Sequence, residues 1–264
     1  MRRVTALLSL LVLAVAGCGS NGAGNGSSDT ERLTKDAGKL VVGADIPYVP
    51  FAFGNPPLYD GMDMDLVHEI GRRLGMSVVI QKTPFDTIFR DVAQERFDMV
   101  AASAVITDER KKVVEFSLPY FNSDQSIMIR KGSSISGEGD LDGKRIGAVL
   151  GGAGEKWAKK NVGSATVRTY DLVDDGFKAL AAGQIDALVN DFPSSKYAER
   201  SYDTLEVVAN ILTGEHYGLV FKIGSPLRQK VDEILLEMRK DGTFEKIYQK
   251  WFAVVPPADL LRTA

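Results

Sequence analysis

A single cysteine, Cys18, and two histidines are all that the 264-residue chain has of the residue types most used for redox and metal chemistry. One thiol excludes a disulfide framework and a thiolate metal site. Neither His68 nor His216 has a paired nucleophile in sequence, and no HExxH or phosphate-loop pattern occurs. No metal and no cofactor are therefore expected. Charge of one sign is missing too: 32 basic and 35 acidic side chains are well mixed and give a formal net charge of -3. That balance lacks the basic face a nucleic-acid partner requires, so none is expected.

Long apolar runs are confined to the start. Arg2 and Arg3 precede an apolar stretch from about Val4 to Ala16, with small residues before Cys18. This reads as a secretory signal over residues 1–17, too short for a comfortable membrane span. Val15-Ala16-Gly17-Cys18 resembles the bacterial lipobox, so Cys18 is expected to carry a lipid. Residues 18–38, rich in Gly, Ser and Asn, read as a flexible tether that holds the folded part just outside a membrane. No second long apolar run follows, so no spanning segment is expected.

From Lys39 the pattern alternates apolar β-like runs with helical ones. "KLVVGADI" and "SVVIQKT" read as strands around "MDLVHEIGRRLG", which carries Leu66, Val67, Ile70 and Leu74 at helical spacing and stops at Gly75. The grammar is βαβ, implying a mixed sheet covered by helices. "TIFRDVAQERFDMVAAS" and "DGFKALAAGQIDALVND" share one layout: an amphipathic helix, a polar break, an apolar residue followed by Asp98 or Asp186, then a buried strand. The echo suggests two α/β lobes of similar build. Extended runs 124–132 and 216–224 bracket the second unit as two crossings between lobes. The closing stretch from Ser225 reads as two helices broken at Asp241-Gly242, the first striped by Leu227, Val231, Ile234, Leu235 and Met238.

The stretch "DMVAASAVITDERKKVVEFSLPY" poses the sharpest question. Met99 to Ile106 reads as a buried strand, and Thr107 as the N-cap of a helix with Asp108 and Glu109 in its first turn. Arg110 falls in that same turn, where the dipole disfavours a cation. In open α/β sheets ligands sit at the carboxyl ends of strands. A guanidinium placed there, offering a planar fork to a carboxylate, is a candidate ligand group.

These stretches, together with "LVVGADIPYVPFAF", "TPFDTIFRDVAQERFDMV", "LDGKRIGAVLGGAGEKWAKKN" and "DGTFEKIYQKWF", resemble the extracytoplasmic amino-acid-binding proteins of ABC transporters, the family 3 solute-binding proteins. The resemblance covers about Lys39 to Phe252. It implies an α/β, two-lobed fold of the type II periplasmic-binding-protein kind, each lobe a mixed sheet flanked by helices, joined by two crossing strands. Lobe 1 is expected over 39–123 plus 219–264, and lobe 2 over 124–218. By position, Arg110 matches the arginine that grips the ligand α-carboxylate, and Asp191 the aspartate that grips the α-ammonium. Tyr48 and Phe85 match the stacking aromatics, whereas Phe51 reads as packing. Asp45 matches a position that meets a polar or basic ligand side chain.

The sequence also departs from the family pattern. Val105 stands where the family commonly has Ser or Thr. The lobe-2 loop "LGGAGE" has Gly152 and Ala153 where a Thr is common. Backbone N–H groups of Gly152 to Gly154 at a helix start, and Ser103, are the expected substitutes. The resemblance implies a monomer that binds a polar or basic amino acid, glutamine or a basic one, for a membrane permease. Two alternatives share the scaffold. One is a cyclohexadienyl (arogenate/prephenate) dehydratase, disfavoured because Ser194 stands where those enzymes place a general-acid glutamate. The other is a sensor subunit.

Overall fold

Two central strands with uninterrupted apolar runs, each flanked by helices apolar on one face, organise the molecule; the computed structural model describes residues 33–263. The expected signal segment, Cys18 and the tether up to residue 32 lie outside the described residues. The chain begins with β1 (Lys39–Ala44), β2 (Phe53–Asn55), β3 (Leu58–Asp60), α1 (Met62–Leu74), β4 (Ser77–Lys82), α2 (Ile88–Ala93), β5 (Met99–Val100) and β6 (Glu115–Phe116). It continues with β7 (Phe121–Arg130), β8 (Arg145–Val149), α3 (Ala153–Asn161), β9 (Thr166–Tyr170), α4 (Val173–Ala181), β10 (Ala187–Asp191) and α5 (Phe192–Ala198). It closes with β11 (Leu205–Tyr217), β12 (Val220–Phe221), α6 (Pro226–Lys240) and α7 (Thr243–Phe252).

The sheets run β4-β1-β5-β12-β6 and β9-β8-β10-β7-β11. In each, the first three strands pair in parallel and the fourth joins antiparallel, so the two lobes share one plan. The sequence echo has a shared physical basis. Asp98 and Val41 exchange bonds: Asp98 N–H donates to the Val41 carbonyl (2.9 Å), and the Asp98 carboxylate accepts the Val41 N–H (2.7 Å). Asp186 and Arg145 repeat this exchange at 2.8 and 2.9 Å. Each aspartate thus fixes the register of the middle strand of its sheet, β5 or β10, against the neighbouring β1 or β8. Ser103 and Asp191, at equivalent places in the echo, follow at the carboxyl ends of those strands.

Helix α1 buries Leu66, Val67 and Ile70 and ends where Gly75 turns left-handed (φ 68°), the conformation glycine adopts without a Cβ clash. Helix α6 buries the whole predicted stripe, and it packs against α7 and α1, of which α1 also packs on β4 of the first sheet. The crossings are β7 and β11, antiparallel from Arg130↔Leu205 to Phe121↔Tyr217. Phe51, fully buried, meets Phe121 edge to face, and Phe252 tilts against both, where the crossings meet the first lobe (centroids 4.8–5.7 Å).

Four sequence expectations need correction. The second crossing is Leu205–Tyr217, not 216–224, because Val220–Phe221 is drawn into the first sheet between β5 and β6. The run Met99–Ile106 is strand only at Met99–Val100: Ser103 sits at φ 49°, which breaks the ladder, and Val105 rejoins through a bridge to Tyr217. Arg110 starts a single 3-10 turn, Arg110–Lys112, rather than an α-helix, because the chain must enter β6 at Glu115. The residue that caps this turn is Glu109 rather than Thr107, although the Thr107 Oγ1 accepts the Arg110 N–H at 3.2 Å. Finally, residues 33–38 are not free tether: Thr34 is buried, and the Lys35 N–H donates to Asp98 at 2.8 Å.

Candidate functional site

The eight side chains and loop residues singled out as candidate ligand groups, Asp45, Tyr48, Phe85, Ser103, Arg110, Gly152, Ala153 and Asp191, all line one cavity between the two sheets. Fold topology explains the convergence. Asp45 follows the end of β1, Ser103 the end of β5, Gly152 the end of β8, and Asp191 ends β10, so each sheet points its carboxyl edge at the other.

Arg110 is 6% exposed. Its Nη1 donates to the Val105 carbonyl (2.6 Å) and its Nη2 to the Gly151 carbonyl (3.0 Å). Its guanidinium lies over the rings of Phe89 (4.4 Å) and Phe85 (5.3 Å), a cation–π arrangement that holds the plane of the fork. Phe85 therefore supports the arginine as well as lining the cavity. No carboxylate among the described residues forms an ion pair with Arg110. Burial pulls its pKa down to about 10, an effect only partly opposed by Asp191, Glu215 and Glu109.

Asp191 shows the opposite charge in the same condition. It is 8% exposed, and no cation among the described residues pairs with it. Its Oδ2 accepts from the phenols of Tyr48 (2.7 Å) and Tyr217 (2.5 Å), and its Oδ1 accepts from Gln125 Nε2 (2.6 Å). Burial raises both phenol pKa values well above 10, so both remain donors. A carboxylate has about four acceptor positions, so one on Oδ1 remains. The second hydrogen of Gln125 Nε2 goes to Glu215 (2.8 Å), whose pKa burial raises.

Asp45 adds a third buried group, 4% exposed, with Oδ1 lacking any hydrogen-bond partner. Burial raises its pKa to about 7, with Lys82 acting against the rise and Asp86 adding to it. Ser103 is turned toward the fold: its N–H (2.9 Å) and its hydroxyl (3.3 Å) donate to Asp63. At Val105 the side chain lines the cavity without a hydroxyl, and only its carbonyl serves Arg110. Helix α3 begins at Ala153 with Gly152 as its cap residue; the Gly152 N–H is held by the Val149 carbonyl (2.9 Å), which leaves the N–H groups of Ala153 and Gly154, at the start of the helix, beside the cavity.

Three contacts show that the lobes are closed: Tyr48 to Asp191, Arg110 to Gly151, and Lys156 to Glu109 (3.0 Å). Sequence reasoning missed Gln125, Glu215, Tyr217, Phe89, Gly151 and Asp63. Two of these leave a signal. Gln125 is a buried amide just ahead of the apolar run of a crossing strand, and Asp63 lies on the α1 face shared by Leu66 and Val67.

A hinged pair of α/β lobes, shut over a cavity that holds an unpaired cation from one side and an unpaired anion from the other, defines a ligand-binding protein. Comparison with known proteins places it: the model of the bacterial extracellular solute-binding proteins, family 3, matches residues 40–254, and the chain belongs to that family. The L-cystine-binding protein TcyJ of Escherichia coli (strain K12) is 32% identical over 223 residues, 83% of this chain and 84% of that protein. The arginine-, lysine-, histidine-binding protein ArtJ from Geobacillus stearothermophilus superposes with a TM-score of 0.80 at 30% identity, covering 84% and 99% of the two chains. An ancestral arginine-binding protein bound to arginine gives 0.78 at 36% identity, covering 81% and 98%. Membership of an extracellular family places the folded part outside the cytoplasm, and no helix among the described residues is long and apolar enough to cross a membrane.

Proposed function

We propose that the chain closes its lobes on one free amino acid with a cationic side chain and delivers it to the membrane permease of an ABC transporter. The observation that carries this reading is the pair of buried charges, Arg110 and Asp191, each hydrogen-bonded but without an ion-pair partner among the described residues, facing one cavity from opposite lobes. A buried charge without a partner costs several kcal/mol. An amino-acid zwitterion removes both costs at once: its carboxylate takes the free edge of the Arg110 fork and the N–H groups at the start of α3, and its ammonium takes the remaining position on Asp191 Oδ1. A micromolar complex needs about -8 kcal/mol. Charge-assisted hydrogen bonds at roughly 1.5–3 kcal/mol each supply much of that once closure excludes water.

Asp45 selects the side chain. With the zwitterion neutralised by Arg110 and Asp191, Asp45 is left with a bare oxygen and a carboxyl that resists ionisation. A guanidinium or ammonium on the ligand compensates it; the amide of glutamine offers a donor but no charge, and stands second. The names of the relatives, cystine-binding and arginine-, lysine-, histidine-binding, support the amino-acid class.

Binding rather than turnover is the reading for this site. Ser194, three residues beyond Asp191, is buried and carries a hydroxyl where the dehydratase alternative needs a carboxylic acid. The same reading takes Cys18 as lipid-modified, residues 19–32 as the tether, and the chain as a monomer. Lobe 1 is taken as 39–123 plus 219–264 and lobe 2 as 124–218. A thermal-shift panel of the twenty amino acids tests the function: L-arginine and L-lysine should raise the melting temperature most, and no response to any amino acid would contradict it.

A further inference from the structure

The lobe-2 loop meets Arg110 through a carbonyl, not a side chain, and that carbonyl is held by a glutamate with no place in the ligand cavity. Glu155 is buried in the first turn of α3. Its Oε2 accepts the Gly151 N–H at 2.7 Å and its Oε1 accepts Lys159 Nζ at 2.5 Å. A glutamate at the third position of a helix ordinarily reaches back to the N–H of the cap residue. Here the cap residue is Gly152, and its N–H is already given to the Val149 carbonyl (2.9 Å). Glu155 instead reaches one residue further, to Gly151, whose left-handed backbone (φ 73°) aims its own carbonyl across the cleft at Arg110 Nη2.

The next residue of the helix works on the same target. Lys156 pairs with Glu109, the neighbour of Arg110. Two adjacent residues of α3 therefore grip two adjacent residues of the other lobe, one directly and one through a backbone carbonyl. Arg110 keeps its bond to Val105 whatever the lobes do, because both belong to the same lobe; the bond to Gly151 exists only on closure.

We propose that Glu155 is a positioning residue: it fixes Gly151 so that closing the cleft supplies the second carbonyl of the Arg110 cradle and locks the guanidinium fork in its carboxylate-binding orientation. This rests on the reading of Arg110 as the carboxylate anchor. It also gives the glycine-rich loop a task that needs no hydroxyl, since the loop acts through a carbonyl set by a neighbouring carboxylate.

The test compares the full chain with its Glu155→Ala, Glu155→Gln and Lys159→Ala variants by two readouts: the dissociation constant and off-rate for L-arginine, and the nitrogen-15 side-chain resonances of Arg110, assigned by their loss in Arg110→Lys. Glu155→Ala should weaken L-arginine roughly tenfold, the scale of one lost hydrogen bond to a charged group, mainly through a faster off-rate. It should also free rotation of the Arg110 guanidinium. Glu155→Gln keeps an acceptor for Gly151 and should stay close to the parent, as should Lys159→Ala. Equal losses in the Ala and Gln variants, or unchanged affinity and unchanged Arg110 resonances in the Ala variant, overturn the proposal. If Glu155→Ala fails to fold, the Gln and Lys159→Ala variants decide: a loss in either overturns it. The Arg110 resonances are recorded with bound ligand, because the bond to Gly151 belongs to the closed cleft. Failure of the parent chain to bind L-arginine sinks the ligand reading, and the Glu155 proposal is then judged by the spectra with whichever amino acid does bind.

Discussion

The phenol of Tyr48, from the loop after β1, donates to the carboxylate of Asp191, at the end of β10 in the other lobe, over 2.7 Å. This bond joins the lobes at the group assigned to the ligand ammonium. Because Asp191 keeps Tyr217 and Gln125 as donors, Tyr48→Phe should weaken ligand binding by only about 0.5–1.5 kcal/mol, the net worth of a hydrogen bond. Asp191→Ala removes the carboxylate itself and should cost at least ~3 kcal/mol, as expected for breaking a buried charged pair. Titration calorimetry of both variants measures the difference.

Arg110 gives the matching prediction at the other end of the ligand. Arg110→Ala should weaken binding by at least ~1.5–3 kcal/mol, and Arg110→Lys should not restore it, since a point charge cannot reproduce the planar fork held over Phe89. Lys112, exposed in the same turn, should be replaceable by Ala with little change in affinity.

Asp45 sets a pH dependence with a definite sign. Its carboxyl titrates near 7 without ligand, because burial penalises the charge. A cationic ligand side chain favours the ionised form, so binding must expel the proton below that pH. Affinity for L-arginine should be full above about 7 and fall as pH drops, by up to about tenfold per pH unit. Asp45→Asn should flatten the profile and weaken L-arginine. The same change should raise the melting temperature of the ligand-free protein at pH 8, by about 2–4 °C per kcal/mol recovered. Calorimetry across pH 5 to 8.5 with both proteins is the check.

Asp63 supports the site from below. Fully buried, it accepts from the Tyr120 hydroxyl (2.8 Å) and the Ser103 N–H (2.9 Å). Asp63→Ala leaves both donors unsatisfied and should cost about 1–3 kcal/mol for each in thermal unfolding. Burial raises its pKa from 3.8 to about 7. Its contribution to stability is therefore fully present in acid below the ordinary carboxylate range and is lost as pH rises through about 7. Asp63→Asn should remove that pH-dependent component.

Much of the fold was legible because its signals are local or repeated. The αL stop at Gly75, the stripe of α6 and the Asp98/Asp186 echo each follow from short-range patterning, and resemblance added the two-lobed plan. The places where sequence reading failed are those where distant chain overrides local pattern. An eight-residue apolar run was broken at Ser103, whose N–H is held by Asp63, forty residues away. A helical start was cut to one turn by the demand of β6. In the candidate site, Arg110 and Asp191 stood out by their places at strand ends, and Asp45, Tyr48, Phe85, Gly152 and Ala153 came from the resemblance, whereas Gln125, Glu215 and Tyr217 escaped. They lie within crossing strands, and only the meeting of β7, β10 and β11 brings them to Asp191.

The central claim is that this cleft pairs three buried charges with the three charges of a basic amino acid. Titrating L-arginine and L-citrulline, its uncharged near-isostere, into the protein at pH 8 measures the third pairing directly. The account predicts that L-arginine binds and that citrulline binds at least roughly tenfold more weakly, the scale of one charged hydrogen bond. Equal affinity for the two, or no binding of L-arginine, would contradict it.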